Sequence, residues 1–365
     1  MRVELLTTGD ELVTGQIVDT NSPWLMEELF RLGIFVARKT AVGDELDEIV
    51  TALREAAARS SVVIVSGGLG PTLDDRTVEA ACRAFSRDIV LDDAHLARIK
   101  ERFLQFQRAM TPNNERQAYV PRGAELLPNP WGTAPAFFLT VEACEIWFFP
   151  GVPRELKALA SKVLLPRLRT RIEEAGRFTC YRSLKCVDIA ESHMDQLMQP
   201  VLARHPHIRY GTRTSFPENH VKLLAVQSTP EEARLCCEAA EREAREALGD
   251  KVFGGAEDTF AGVTLRALRA RGLRVCFAES LTAGLAASML ADEEGASDVL
   301  LGSSVVYDVK LKEKWLSVPH DILSLERAKV FGSRGSSVSS KRRSRTLSDA
   351  HTARLTKKGV SSTMM

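Results

Sequence analysis

The sequence has almost no net charge. Its 49 Lys and Arg face 48 Asp and Glu, a formal +1, so there is no global pull toward nucleic acid or acidic partners. No apolar run approaches the roughly 20 residues that cross a bilayer. The start, MRVELLTTGD, lacks the charged-then-apolar layout of a secretory leader. Seven cysteines occur with no framework spacing and no Cys-x-x-Cys. That pattern reads as reduced thiols in a cytoplasmic protein, neither a disulfide scaffold nor a zinc site. There is no internal repeat and no Gly-Lys-Ser/Thr phosphate loop. A chain of 365 residues is still long enough for two or three cores.

What is present is a pair of glycine-rich turns, each carrying acids. One is Thr7-Thr8-Gly9-Asp10-Glu11; the other runs from Ser66 through Gly67, Gly68, Gly70 and Thr72 to Asp74 and Asp75. Each follows an apolar, β-branched run (3–6 and 62–65) and leads into a helical pattern. Glycine lets backbone N–H groups close on a ligand, and a helix N-terminus favours negative charge. Acids beside such a cradle repel phosphate unless a divalent cation such as Mg²⁺ bridges the two. K⁺ is a second candidate ion. These turns therefore predict a metal-assisted site for a phosphorylated ligand.

Strand and helix alternate over residues 1–170. Strands are expected at 3–6, 35–42, 62–65 and 146–149, and helices at 22–32, 45–58, 77–85, 93–110 and 154–163. This predicts an α/β fold, a doubly wound and mostly parallel sheet whose crevice lies at the carboxyl ends of the strands. Residues 171–255 read as a small α+β module, with strands at 180–187 and 221–228 and helices at 191–203 and 230–248. Residues 256–323 begin a third α/β unit: helix 256–270, strand 273–278, helix 285–291, strand 299–307 and helix 310–316. Residues 324–365 are Ser-, Arg- and Lys-rich without periodicity and read as a disordered basic tail.

Each candidate residue has two readings. Asp10 and Glu11 bind metal or ribose, or Asp10 caps the next helix. Asn21 extends the site or caps the helix after it. Thr8, Gly9, Gly67, Gly68, Gly70 and Thr72 cradle phosphate, or only make tight turns. Asp74 and Asp75 supply metal ligands or a general base; one of the two should face the ligand, and Asp75 is preferred. Thr133 donates to a phosphate or purine, or sits in a plain loop. Glu155 is a further metal carboxylate or a surface acid matched to a helix dipole. Ser280, on a strand-to-helix turn, is a nucleophile or a helix cap. A nucleophilic Ser needs a base, and Tyr307 and Lys312 are better placed than His320.

The strings TTGDELVTGQIVDTN (7–21), SGGLGPTLDDRT (66–77), NPWGTAPAF (129–137), FPGVPRELK (149–157), YGTRTSFPENHVKL (210–223) and AESLTAG (278–284) together resemble the CinA family over residues 1–323. The resemblance implies a MoaB/MogA-like first domain that hydrolyses ADP-ribose with a metal. It also implies a KH-like middle module and a last domain that deamidates nicotinamide mononucleotide. Ser280, Tyr307 and Lys312 fall on that last domain's active positions. A cytoplasmic homodimer in pyridine-nucleotide salvage follows from the same likeness; the other reading is a non-catalytic molybdopterin- or nucleotide-binding protein. The family's third domain continues with another glycine-rich segment where this chain turns into the basic tail. A frameshift or truncation, a weak or lost amidase, and exposed Val275, Phe277 and Val305 are therefore expected. The tail lacks interleaved aromatics and the middle module lacks a GxxG loop, so nucleic acid is not expected as a partner. The central expectation is spatial: Asp10 and Asp75 should meet at one crevice.

Overall fold

The computed structural model describes residues 1–215 and 217–323; the expectation of a disordered tail falls outside the described residues. The chain divides into two units. One comprises Met1–Arg182, Asp195–Thr212 and Lys222–Ala247, and the other Ser183–Met194 and the described residues of 213–221 and 248–323.

The first unit is built on β1 (Val3–Thr8), α1 (Asp10–Val13), α2 (Asn21–Arg31), β2 (Val36–Val42), α3 (Leu46–Arg59), β3 (Val62–Ser66), α4 (Thr77–Ala84), β4 (Ile89–Leu91), α5 (Asp93–Gln105), β5 (Tyr119–Pro121), β6 (Glu125–Leu127), β7 (Ala136–Val141), β8 (Cys144–Phe149), α6 (Pro153–Leu159) and α7 (Leu165–Glu174). The main sheet has the order β2-β1-β3-β8-β7-β6. Its first four strands are parallel, and β7 and β6 complete it antiparallel. This is the mostly parallel α/β sheet read from the sequence. Thr7 pairs with Ser66 and Ser66 with Phe149, so the carboxyl ends of β1, β3 and β8 lie side by side.

Both sheet faces are covered, and side chains alternate across them. Trp147 and Phe149 join Leu25, Leu29 and Leu156 on one face. Ile146 and Phe148 join Ile49, Leu53 and Val63 on the other. A strand buried on both faces has no reason to alternate in hydropathy, hence the unbroken Val62-Val63-Ile64-Val65 run.

Several boundaries differ from the sequence reading. The helix expected over 93–110 stops at Gln105, and Gln107 takes φ 53°, a left-handed exit. The helix expected over 154–163 ends at Leu159 and continues as one π turn, Ala160–Leu164. Strands β4 to β7 were not anticipated. The β7–β8 hairpin turns through Glu142 at φ 52°, without the Asn-Gly or Asp-Gly signal such turns normally carry.

Beyond α7 come β9 (Phe178–Val187), α8 (Glu191–Arg204), β10 (Ile208–Ser215), β11 (Glu218–Gln227), α9 (Pro230–Leu248) and β12 (Val252–Gly254), with a sheet of order β10-β11-β9-β12. Within the first unit, Glu27 of α2 accepts from the Tyr181 hydroxyl at 3.1 Å and pairs with Lys222. The second unit contains α10 (Phe260–Ala270), β13 (Val275–Glu279), α11 (Leu285–Ala291), β14 (Leu300–Val305) and α12 (Val309–Leu316). Helix α10 starts at Phe260, not at 256, because Thr259 caps it by accepting from the Gly262 amide. β13 and β14 are parallel. Of the three apolar residues expected to be exposed, Val305 is. Val275 and Phe277 are half-buried against Leu265, Leu268 and Leu290.

Candidate functional site

The three adjacent strand ends are tied into one floor. The Gly67 amide donates to the Phe149 carbonyl at 3.1 Å, and the Gly9 amide to Val42. The buried Thr8 and Thr77 hydroxyls share a hydrogen bond at 3.1 Å, and Thr77 Oγ1 also donates to the Gly67 carbonyl at 2.9 Å. Asn21 Nδ2 donates to Ser66 Oγ at 3.2 Å and to the Gly151 carbonyl at 2.7 Å. Asn21 therefore stitches strand ends together and does not cap α2; Asp19 Oδ1 accepts from the Asn21 and Ser22 amides instead.

Above this floor lies a crevice of about 660 Å³, within the roughly 300–1,000 Å³ usual for small-molecule sites. Of the residues singled out in residues 1–170, Thr8, Gly9, Glu11 and Asn21 line it from the first turn and its helix. Gly67, Gly68, Gly70, Thr72, Asp74 and Asp75 line it from the second, and Thr133 and Glu155 from the far wall.

Asp10 does not line the crevice, which corrects the expectation that it meets Asp75 there. Its amide donates to the Asp44 carboxylate at 2.9 Å, and its own carboxylate accepts from the Asp44 amide at 3.0 Å. It braces the loop after β2. It does not cap α1 either, since the N-cap is Gly9. Asp75 is turned onto its own turn, accepting from the Thr72 amide at 2.9 Å and from the Thr72 hydroxyl. Glu155 accepts from Asn129 Nδ2 at 2.7 Å.

Of the five carboxylates read as metal ligands, Glu11, Asp74, Asp75 and Glu155 line the crevice and Asp10 does not. Among the described residues no three His, Cys, Asp or Glu side chains group as a metal site. Glu11, Asp74 and a residue the sequence reading passed over, Asp44, line the crevice together. Burial raises the Asp44 carboxyl above its usual range, and the charges of Asp10, Glu11 and Asp74 push the same way. Thr72 holds the Asp74 carboxylate below its usual range, helped by backbone amides and Arg116. Mg²⁺ commonly takes one or two carboxylates and completes its shell with phosphate oxygens and water. Each of these three carboxylates offers the hard oxygen donor that demand calls for, and one or two of them suffice. Asp44 had a signal in the sequence: it follows Gly43 at the end of a strand, as Asp10 follows Gly9.

His95 was also passed over. Only 5% exposed, it bonds the Thr133 backbone, and burial pushes its pKa below the ordinary 6.5. A depressed imidazole favours the fold above the unfolded-state pKa and loses that contribution as pH falls below it. Stability should therefore drop as pH falls below 6.5, and His95→Gln should flatten that part of the profile in denaturant titrations. An equal slope in both proteins would remove His95 as the cause.

In the second unit, Ser280 follows β13, but the residue that works there is Glu279. It is 2% exposed and accepts from the Ala286 and Ala287 amides at 3.0 Å, from Thr282 Oγ1 at 2.8 Å and from Ser303 Oγ at 3.2 Å. The N-cap of α11 is Gly284, so the capping reading of Ser280 does not hold. Among the described residues no hydrogen bond joins Ser280 to Tyr307 or Lys312, and Tyr307 is 75% exposed.

Comparison with known proteins divides the chain in three. Residues 4–170 match a family described as "Probable molybdopterin binding domain". Residues 181–254 match "Damage-inducible protein CinA KH domain", and 257–331 match "CinA C-terminal domain". A CinA-like protein of Myxococcus xanthus is 43% identical over 330 residues, covering 90% of this chain and 78% of that one. One from Anaeromyxobacter sp. is 44% identical over 330 residues, covering 90% and 79%. Among solved structures, CinA of Thermoplasma acidophilum, described as of unknown function, is 36% identical. It covers 45% of this chain and 95% of its own, with a TM-score of 0.42. No helix among the described residues is long and apolar enough to cross a membrane.

Proposed function

The chain belongs to the CinA family, and from that premise we propose that its first 170 residues form a cytoplasmic, metal-dependent ADP-ribose pyrophosphatase. The observation that carries this reading is the floor of three joined strand ends, with both glycine-rich turns and the carboxylates of Glu11, Asp44, Asp74 and Asp75 lining one crevice. Water attacks one phosphorus, the bridging P–O bond breaks, and AMP and ribose 5-phosphate leave. The Gly67–Gly70 turn and the Thr72 hydroxyl orient the diphosphate. Asp75, on the same turn, takes the proton from the attacking water. A divalent ion held by one or two of the crevice carboxylates, Glu11, Asp44 and Asp74, together with the phosphate oxygens, would supply charge neutralisation on the diphosphate.

The test is ADP-ribose turnover by the full chain, with and without chelator, and in Asp75→Ala. Removing a general base should cost at least about 100-fold. Undiminished turnover would strike Asp75 from the mechanism.

One observation favours a second reading. Thr72 already occupies the Asp75 carboxylate, as it would in a site that binds without turning over. A molybdopterin- or nucleotide-binding protein would then show calorimetric binding and no product. We expect nicotinamide mononucleotide deamidation to be absent or weak, since a nucleophilic Ser needs a base within hydrogen-bond reach and Ser280 has neither candidate there.

A further inference from the structure

A second cavity, of about 200 Å³, opens beside the glycine turn and shares Gly68, Gly70 and Asp75 with the main crevice. Its other walls include Val78, Ile89, Tyr119 and Pro135, an aromatic and aliphatic surface suited to a flat ring, with the charged Glu79 and Arg116 beside it. Besides Asp75, a second polar side chain lies on both cavities: Gln117. It is 3% exposed, and its carboxamide oxygen has no hydrogen-bond partner among the described residues.

A buried, unpaired carbonyl oxygen is costly in a folded protein. This one is also rigidly held. Gln117 lies in a short 3₁₀ helix, Pro112–Ala118, opened by a capping box between Thr111 and Asn114. At its far end the Ala118 carbonyl accepts from the Asp92 amide at 2.9 Å. The neighbouring Arg116 donates Nη1 to the Thr72 carbonyl at 3.0 Å, which fixes this helix to the phosphate turn. A rigid acceptor beside an apolar slot, one turn away from a diphosphate cradle, asks for a ligand with a planar ring, an exocyclic amine on its edge, and phosphate attached.

We propose that this slot takes the base of a nucleotide diphosphate and that Gln117 sets specificity by accepting from its exocyclic amine, as adenine presents. The proposal rests on the nucleotide reading given above. Gln117 positions the ring and takes no part in breaking the P–O bond.

The experiment is calorimetry on the full chain with three probes: ADP, inorganic pyrophosphate and a 2-amino pterin. Gln117→Leu keeps the volume and removes the acceptor. Its affinity for ADP should fall about tenfold while that for pyrophosphate stays within about twofold, an effect the size of one lost hydrogen bond. Gln117→Glu keeps an acceptor oxygen and should retain the wild-type ratio of ADP to pyrophosphate affinity. That arm decides the matter if Gln117→Leu fails to fold. Equal weakening of ADP and pyrophosphate in Gln117→Leu would overturn the proposal, because a merely structural role moves both. Wild-type binding to pyrophosphate that gains nothing from any base would also overturn it and leave the diphosphate reading standing. Gln117-dependent binding of the pterin but not of ADP would do the reverse, keeping the ring slot and sinking the nucleotide.

Discussion

Gly67→Ala should abolish ligand binding at the crevice, raising Kd for ADP by about 1000-fold, or roughly 4 kcal/mol. Gly67 sits at φ +112°, and a Cβ there would run into the Thr8 carbonyl oxygen and come within 2.9 Å of Thr8 Oγ1. The first obstacle is backbone of β1, paired with β2 on one side and β3 on the other, and it cannot step aside. Positive φ on a non-glycine residue adds about 1–3 kcal/mol of strain. The contact is relieved only if the two glycine turns separate, which opens the Thr8–Thr77 bond and pulls apart the crevice floor. Gly70→Ala is the contrasting case. Its Cβ would meet the end of the Asp75 side chain, which can rotate, so a loss of about tenfold is expected from the same clash-and-strain reasoning. Calorimetry on both variants, with thermal unfolding as the control for folding, separates the two. Gly67→Ala binding ADP within tenfold of wild type would mean that the joined turns are not the cradle.

That prediction uses a feature half visible in the sequence. The two glycine turns and their strands were legible because apolar β-branched runs followed by glycine leave few alternatives. Their direct contact was not, since strand order is a long-range property. The error over Asp10 has a simple origin. Successive residues on a helix point about 100° apart, so adjacency to Glu11 carries no information on direction. Glu11 faces the crevice and Asp10 faces the loop at Asp44. Gly151, just past the end of β8, takes part in the floor as the acceptor for Asn21. Gln117 was invisible for a different reason. Nothing in the string PNNERQA marks one amide among several polar neighbours as buried; only packing beneath the glycine turn does that. The β4–β5 and β6–β7 pairs, three to six residues each, are too short for periodicity to register.

Glu279→Ala should unfold the β13–α11 connection, costing about 3 kcal/mol there, the value for leaving several donors to one buried carboxylate unsatisfied. Burial alone would raise this carboxyl. Thr282, the Ala287 and Ala286 amides and Ser303 outweigh it and hold it below its ordinary 4.5. Two of those donors are the first free amides of α11, where negative charge also meets the helix dipole. Ser303 lies on β14, so the same carboxylate ties strand, helix and neighbouring strand together. A depressed carboxyl contributes stability that is complete above its unfolded value and is lost as pH falls through its folded one. The wild-type connection should therefore loosen below pH 4.5, and Glu279→Gln, which keeps the shape without the charge, should show a smaller loss than alanine and little of that acid dependence. Hydrogen exchange at the Ala286 and Ala287 amides reads the effect where it occurs. Faster exchange there in Glu279→Ala, with Val62–Ser66 unchanged, is the expected result. Unchanged protection at both amides would mean that water replaces the carboxylate without cost. The turn carrying Ser280 would then be held by the packing of α11 on Leu265 and Leu268 and not by charge.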